Sequence, residues 1–264
     1  MNKLLTPVTI LTLIAFTMSS CTKDNKGYLP LEIVNVYPFE ELTTQGRNLK
    51  LVFYTEKEYP CLNHVIRYTN STTTGNFDIT LVDIEKQSLC LEETGPAKAV
   101  ISFGNLMSGN FPLRIMVADS VNEGTIEISS NRYVINIAGP KMLQVKYDTL
   151  MRIPDHTVWG VAAFNDSTGF PVKEMFLDSL EVKGAVADTL VQGNFGYFST
   201  DANGKIIIDD NGGWNYLEPF VYQYSDDWTE IVETVRDFAF LYPGDVFIYI
   251  YNYKGEACLT SYFY

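Results

Sequence analysis

The chain has 264 residues, 46% of them apolar and 14% aromatic, with a formal net charge of -13. DNA, RNA and anionic lipid surfaces call for clustered lysine and arginine, so an acidic chain of this kind is expected to have no nucleic-acid partner and not to lie flat on a membrane. The apolar content suffices for substantial cores, and the length is comfortable for two domains.

In chain order, residues 1–20 read as a processing segment. Lys3 gives a positive start, Val8 to Phe16 an apolar run too short to span a membrane, and Ser19 and Ser20 a small-residue end. Cys21 follows at once, and the polar "TKDNKGY" after it suits a tether. The stretch "TMSSC" resembles the lipobox of bacterial lipoproteins, with Met18 in the place usually held by leucine, as in Bacteroidota-type members. The resemblance implies cleavage before Cys21, lipidation of its thiol, and outer-membrane attachment at the cell surface. Asp24 stands where the surface-export signal of such proteins carries acids. The alternative is an ordinary secretory signal followed by a chance cysteine. The expected organisation is a signal peptide over 1–20, a lipid-anchored tether over 21–29, an Ig-like antiparallel β-sandwich over 30–139 and a ferredoxin-like α+β domain over 140–264.

From Leu31 to Ala138 the signal is strand after strand. Eight short segments rich in Val, Ile, Tyr and Phe, from "LEIVNVY" to "RYVINI", alternate with turn material such as "STTTGN", "ETGPA" and "SVNEG". In "NFDITLVDI", Phe77, Ile79 and Leu81 face one way and Asp78 and Thr80 the other. Strands on short turns without a helical period predict a sandwich. The segment from "YPCLNHVIRY" to "NFPLRIMV" resembles Ig-like modules of Bacteroidota-type surface lipoproteins, a likeness that carries no catalytic motif. Export to an oxidising compartment makes a disulfide plausible, and Cys61 with Cys90 is the preferred pair because both fall in one expected domain while Cys258 lies far away. The alternative is that all three are small buried residues.

Past Met142 the pattern changes. "HTVWGVAAF" predicts a strand, and "PVKEMFLDSLEVKG" a helix whose stripe is Val172, Met175, Phe176, Ser179 and Leu180, with Gly184 at its exit. "GNFGYFST" and "KIIID" predict a hairpin around "DANG". A second helix follows over "SDDWTEIVETVRDFAFLYPG", with Asp227 and Glu230 as a capping box and Trp228, Ile231, Val232, Val235, Phe238 and Ala239 inward. "DVFIYIYNY" and "ACLTSYFY" end the chain as strands. This β-α-β-β-α-β order is the split βαβ pattern.

Few residues point to chemistry. His64 and His156 have no catalytic or metal-binding neighbours in sequence, and Cys/His spacings for zinc are missing. "TDANGKIIIDDNGGWN" gathers Asp201, Asn203, Asp209, Asp210 and Asn211, but not at EF-hand spacing, and turn chemistry explains them equally well. No metal or cofactor is therefore expected. Carboxylate pairs for glycoside hydrolysis could meet only through the fold. The most suggestive feature is aromatic: Tyr197, Trp214, Tyr216, Phe220, Tyr222, Tyr224 and Trp228 crowd together. Trp214, Tyr216, Tyr222 and Tyr224 form a candidate ligand platform, the alternative being that their rings fill a core. The expectation is a noncatalytic binding module for glycan or protein, joined to the membrane by its lipid. The alternatives are a structural part of a surface assembly, a small hydrolase or a protease inhibitor.

Overall fold

The computed structural model describes residues 28–263 except 74, 88, 91, 92 and 209–211. Cys21, Asp24 and the expected signal peptide lie outside the described residues, as do Asp209, Asp210 and Asn211. The fold is mostly β, with 51% strand and 14% helix, built on one large curled mixed sheet and two smaller sheets.

The large sheet comprises β1 (Tyr28–Leu29), β2 (Val34–Thr43), β3 (Gly46–Tyr59), β4 (Val65–Thr73), β5 (Asn76–Glu85), β6 (Gly95–Gly104), β7 (Gly109–Val117), β8 (Ser120–Ile128), β9 (Arg132–Ile137), β10 (Leu143–Val145) and β11 (Thr149–Met151). Their order is β10-β2-β3-β6-β4-β5-β7-β8-β9-β11, with β1 on β5. All eight expected strands are present as β2 to β9. The expectation of a purely antiparallel sheet is corrected: β10 runs parallel to β2, β4 to β6 and β5 to β7. The parallel β5–β7 pair arises because β6 is placed on the far side of β4, so consecutive strands do not simply neighbour one another.

Alternation explains the core. Phe77, Ile79 and Leu81 are buried, as their spacing predicts, and they join Val34, Val36, Leu51 and Phe53 from β2 and β3. Tyr133 and Ile135 of β9, Leu143 of β10 and Leu150 of β11 close the same cluster, so both ends of the sheet curl around one interior. The expected break near residue 140 moves accordingly. β10 and β11 pair with β2 and β9, and the chain leaves this sheet only after Met151. The end of the expected tether is likewise a strand, with Leu29 opposite Ile84. Cys61 and Cys90 are bonded, with Cα atoms 5.3 Å apart, while Cys258 is free and buried. Their separation of 29 residues gives a loop-closure stabilisation of about 3–4 kcal/mol.

The remaining elements are β12 (Thr157–Phe164), α1 (Gly169–Val182), β13 (Val186–Ala187), β14 (Gly193–Asn194), β15 (Ser199–Thr200), β16 (Ile206–Ile207), β17 (Tyr216–Gln223), α2 (Trp228–Leu241), β18 (Phe247–Asn252), β19 (Ala257–Leu259) and a 3-10 helix (Thr260–Phe263), which replaces the end of the strand expected over "ACLTSYFY". The second sheet is antiparallel, in the order β13-β17-β12-β18-β19. The hairpin expected inside this sheet instead forms a separate three-stranded sheet, β14-β15-β16, and β13 and β17 take its place. Its turn is nevertheless as expected: Asp201 Oδ1 accepts from the backbone N–H groups of Asn203 and Lys205 at 2.8 and 2.9 Å.

Both helices cover one face of the second sheet. Val172, Phe176 and Leu180 of α1 and Ile231, Val235 and Ala239 of α2 pack on Val158, Ala162, Ile248 and Ile250. Met175 and Ser179 turn outward, narrowing the expected α1 stripe. α2 begins at Asp227, whose side chain accepts from Thr229 N. The opposite face of the sheet presents Trp159 and Val221, which pack with Leu190, Phe195 and Ile206, and with Leu42 from the end of β2. Gly255 has φ +76 and lies so close to β2 that a Cβ would come within 2.1 Å of the Leu42 carbonyl oxygen, so only glycine allows this contact.

Candidate functional site

A cleft of about 440 Å³ opens on the face of the second sheet away from the helices. Its aromatic wall is Trp159 on β12, Tyr251 on β18, and Tyr197 and Phe198 from the β14–β15 connection. Period-two alternation aims Trp159 opposite to Val158 and Ala162, away from the helical core. Trp159 and Tyr251 stack with centroids 5.9 Å apart at 18°. Tyr197 and Phe198 flank the indole at 5.8 and 5.6 Å. Asn194 and Ser199 supply polar groups, and among the described residues none that lines the cleft is Asp, Glu, His, Cys, Lys or Arg.

Tyr197 is held by the first sheet. Its hydroxyl accepts the Leu42 backbone N–H at 3.0 Å, and its ring packs on Phe39 at 5.2 Å. Burial holds the phenols of Tyr197 and Tyr251 above the usual tyrosine range, so both keep their protons at neutral pH. The described lining therefore offers aromatic faces, hydroxyls and an amide.

A second cleft, of about 480 Å³, lies against the outer face of β2 and β3 and shares Asn194, Gly196 and Ser199 with the first. Tyr37, Tyr54 and Tyr147 line it, with Val52, Pro96 and Lys98. Val36 and Phe53 point into the core, so their neighbours Tyr37 and Tyr54 must point out. Tyr37 meets Tyr54 and Tyr147 edge-on, each at 6.1 Å.

Nearby, a buried ionic cluster fixes the frame. Glu40 accepts from Arg47 at 3.1 Å, Arg152 at 2.9 Å and the Tyr133 hydroxyl at 2.6 Å. Arg47 also donates to the Ile153 carbonyl at 2.6 Å, where the chain leaves the first sheet.

The expected platform does not assemble. Tyr222 and Tyr224 are only 5% and 4% exposed and belong to the core beneath the helices, which corrects their reading as ligand residues. The alternation that puts them on one face puts them on the inner one. Trp214 is half-buried against Phe247 at 4.7 Å. Tyr216 is partly exposed and stacks on Phe164 at 5.3 Å. His64 is buried, with Nδ1 3.1 Å from the Cys61 carbonyl oxygen and its ring stacked on Tyr59. His156 is exposed in the turn before β12, at φ +65, rather than within the strand. Among the described residues, no group of three or more His, Cys, Asp or Glu side chains could hold a metal ion.

No protein-family model, curated protein or solved structure matches the chain.

Proposed function

We propose that the protein is a lipid-anchored cell-envelope module that binds carbohydrate without transforming it, held to the outer membrane through Cys21 and facing the cell surface. The observation that carries the binding reading is the first cleft, where Trp159, Tyr197, Phe198 and Tyr251 surround a space lined with uncharged polar groups. Sugar rings present apolar C–H faces and equatorial hydroxyls together, and aromatic faces beside hydroxyl and amide groups match both. Among the described residues, the lining of this cleft holds no carboxylate pair of the kind glycosidic cleavage uses.

On this reading the first sheet is an Ig-like spacer that lifts the second unit from the membrane. The second unit is ferredoxin-like: β13-β17-β12-β18 with two helices on one face supports that assignment, β19 being an addition. The N-terminal lipobox resemblance supports the anchor.

Calorimetric titration with maltohexaose, cellohexaose, xylohexaose and mannohexaose tests the binding reading. At least one sugar should bind, and Tyr251→Ala, which removes the ring stacked on Trp159, should weaken it about tenfold. Failure of all four to bind would reject the carbohydrate assignment. For the anchor, Cys21→Ala should move the protein from the membrane fraction to the soluble one. Unchanged membrane association would refute it.

A further inference from the structure

We infer that the tyrosine-lined second cleft is a further subsite of the same binding site, so that the ligand is an uncharged linear glycan long enough to cross from Trp159 and Tyr251 on the second sheet to Tyr54 and Tyr147 on the first. The inference rests on the carbohydrate reading and extends it.

Three observations carry it. The two clefts share one wall, the β14–β15 connection, through Asn194, Gly196 and Ser199. That wall is low where it must be crossed, since Gly196 is exposed and has no side chain. Its φ of +82 and the Phe39 ring, 3.0 Å from where a Cβ would stand, keep it glycine. The wall is also immobilised: Tyr197, next to Gly196, accepts from Leu42 N and packs on Phe39, so the two clefts keep a fixed relation. Such preorganisation spares a long ligand the cost of ordering its site.

The second cleft has the same chemistry as the first. Tyr37, Tyr54 and Tyr147 bring three phenol hydroxyls, each able to donate or accept, to one cleft. Burial raises Tyr37 and Tyr54 above the ordinary phenol range, and nearby Tyr147 adds to the effect, so both stay protonated. Among the described residues that line the cleft, Lys98 is the one that carries a charge. A polyanionic glycan would meet a single cation there, on a chain whose net charge is -13. Those features select a neutral polyhydroxylated ligand. Two open clefts joined at a low crest select an extended one.

The test is chain length. Whichever hexasaccharide of the four binds, its disaccharide should bind more weakly. Tyr147→Ala and Tyr54→Ala should each lower hexasaccharide affinity about tenfold and leave disaccharide affinity unchanged. Tyr147 is 55% exposed, so its truncation should leave the melting temperature in place. Equal affinity for the two lengths, with both variants neutral, would confine binding to the first cleft and overturn the inference while the carbohydrate reading stands. Equal weakening of both lengths by the variants would overturn it too, because the second cleft would not be a separate subsite. Tighter binding of an oligogalacturonate hexamer than of any neutral sugar would overturn the ligand class. No binding by any sugar would remove both the reading and the inference.

Discussion

The hydroxyl of Tyr197 accepts the backbone N–H of Leu42 at 3.0 Å, across 155 residues of sequence. Leu42 is buried near the end of β2, where its side chain packs against Trp159 and Val221 of the second sheet. One phenol thus positions the cleft wall and satisfies a donor of the neighbouring sheet. Tyr197→Phe keeps the ring and removes the acceptor. We expect a loss of about 1–2 kcal/mol, the cost of stranding a partly buried N–H. That corresponds to roughly 2–8 °C in melting temperature for a chain of this size. An unchanged melt would show that the bond does not hold the two sheets together.

Glu40 makes the opposite kind of joint, ionic and buried. With its side chain 3% exposed it faces Arg47 and Arg152 and accepts from Tyr133. The cluster ties β2 to β3, to β9 and to the segment leaving the first sheet. Glu40→Ala removes the carboxylate shared by two guanidinium groups, each about five-sixths buried, and leaves Arg47 its ion pair with the exposed Asp155. The expected cost is about 3–5 kcal/mol in denaturant unfolding. A loss under 1 kcal/mol would mean that solvent reaches the arginines when the carboxylate is gone.

Strands β2 to β9, β12 and β18 and both helices were legible in the sequence because each is written locally. Phe77, Ile79 and Leu81 announce their strand, and Asp227 announces the start of α2. The cleft was not legible in the same way. Tyr37, Tyr54, Tyr147, Trp159, Tyr197 and Tyr251 come from separate elements, and only Tyr197 belongs to the dense aromatic run. Four of its seven rings belong to the core: Phe220, Tyr222 and Tyr224 line the inner face of β17 and the residue following it, and Trp228 packs, partly buried, against the same cluster. Local density reports packing, whereas a cleft is assembled by topology. One signal was available. In "LVFYT" the alternation that buries Leu51 and Phe53 turns Val52 and Tyr54 outward, which places both in the wall of the second cleft.

Trp214 and Tyr216 behave differently from either extreme considered for them. Each ring has one supported face, Trp214 on Phe247 and Tyr216 on Phe164 and Phe170. Trp214→Ala and Tyr216→Ala should each cost about 1–2 kcal/mol, between a surface and a core truncation. Glycan affinity should be unchanged, since neither residue lines the clefts. A loss of binding with intact stability would return the ligand site to this platform.

Alkaline pH tests the burial of Tyr222 and Tyr224. Burial is the main cause that pushes each phenol up to about 12, and nearby carboxylates add to it. Glu181 accepts from the Tyr222 hydroxyl at 3.2 Å, and Glu230, Asp226 and Asp227 surround Tyr224. A folded-state pKa above the unfolded value of about 10 means that the native state holds the proton more tightly. The stabilisation is therefore complete below pH 10, drains as pH rises from about 10 to about 12, and is gone above the folded-state value. Each ring is worth roughly 2–3 kcal/mol over that window. Unfolding free energy should stay level in this respect up to pH 10 and then fall. Tyr222→Phe should begin about 1 kcal/mol lower at pH 8, having lost its bond to Glu181, and fall less steeply above pH 10. Denaturant titrations of both proteins across pH 8–12 read this directly. Parallel curves would mean that the Tyr222 phenol ionises freely in the native protein, and that the ring is not sealed beneath α1.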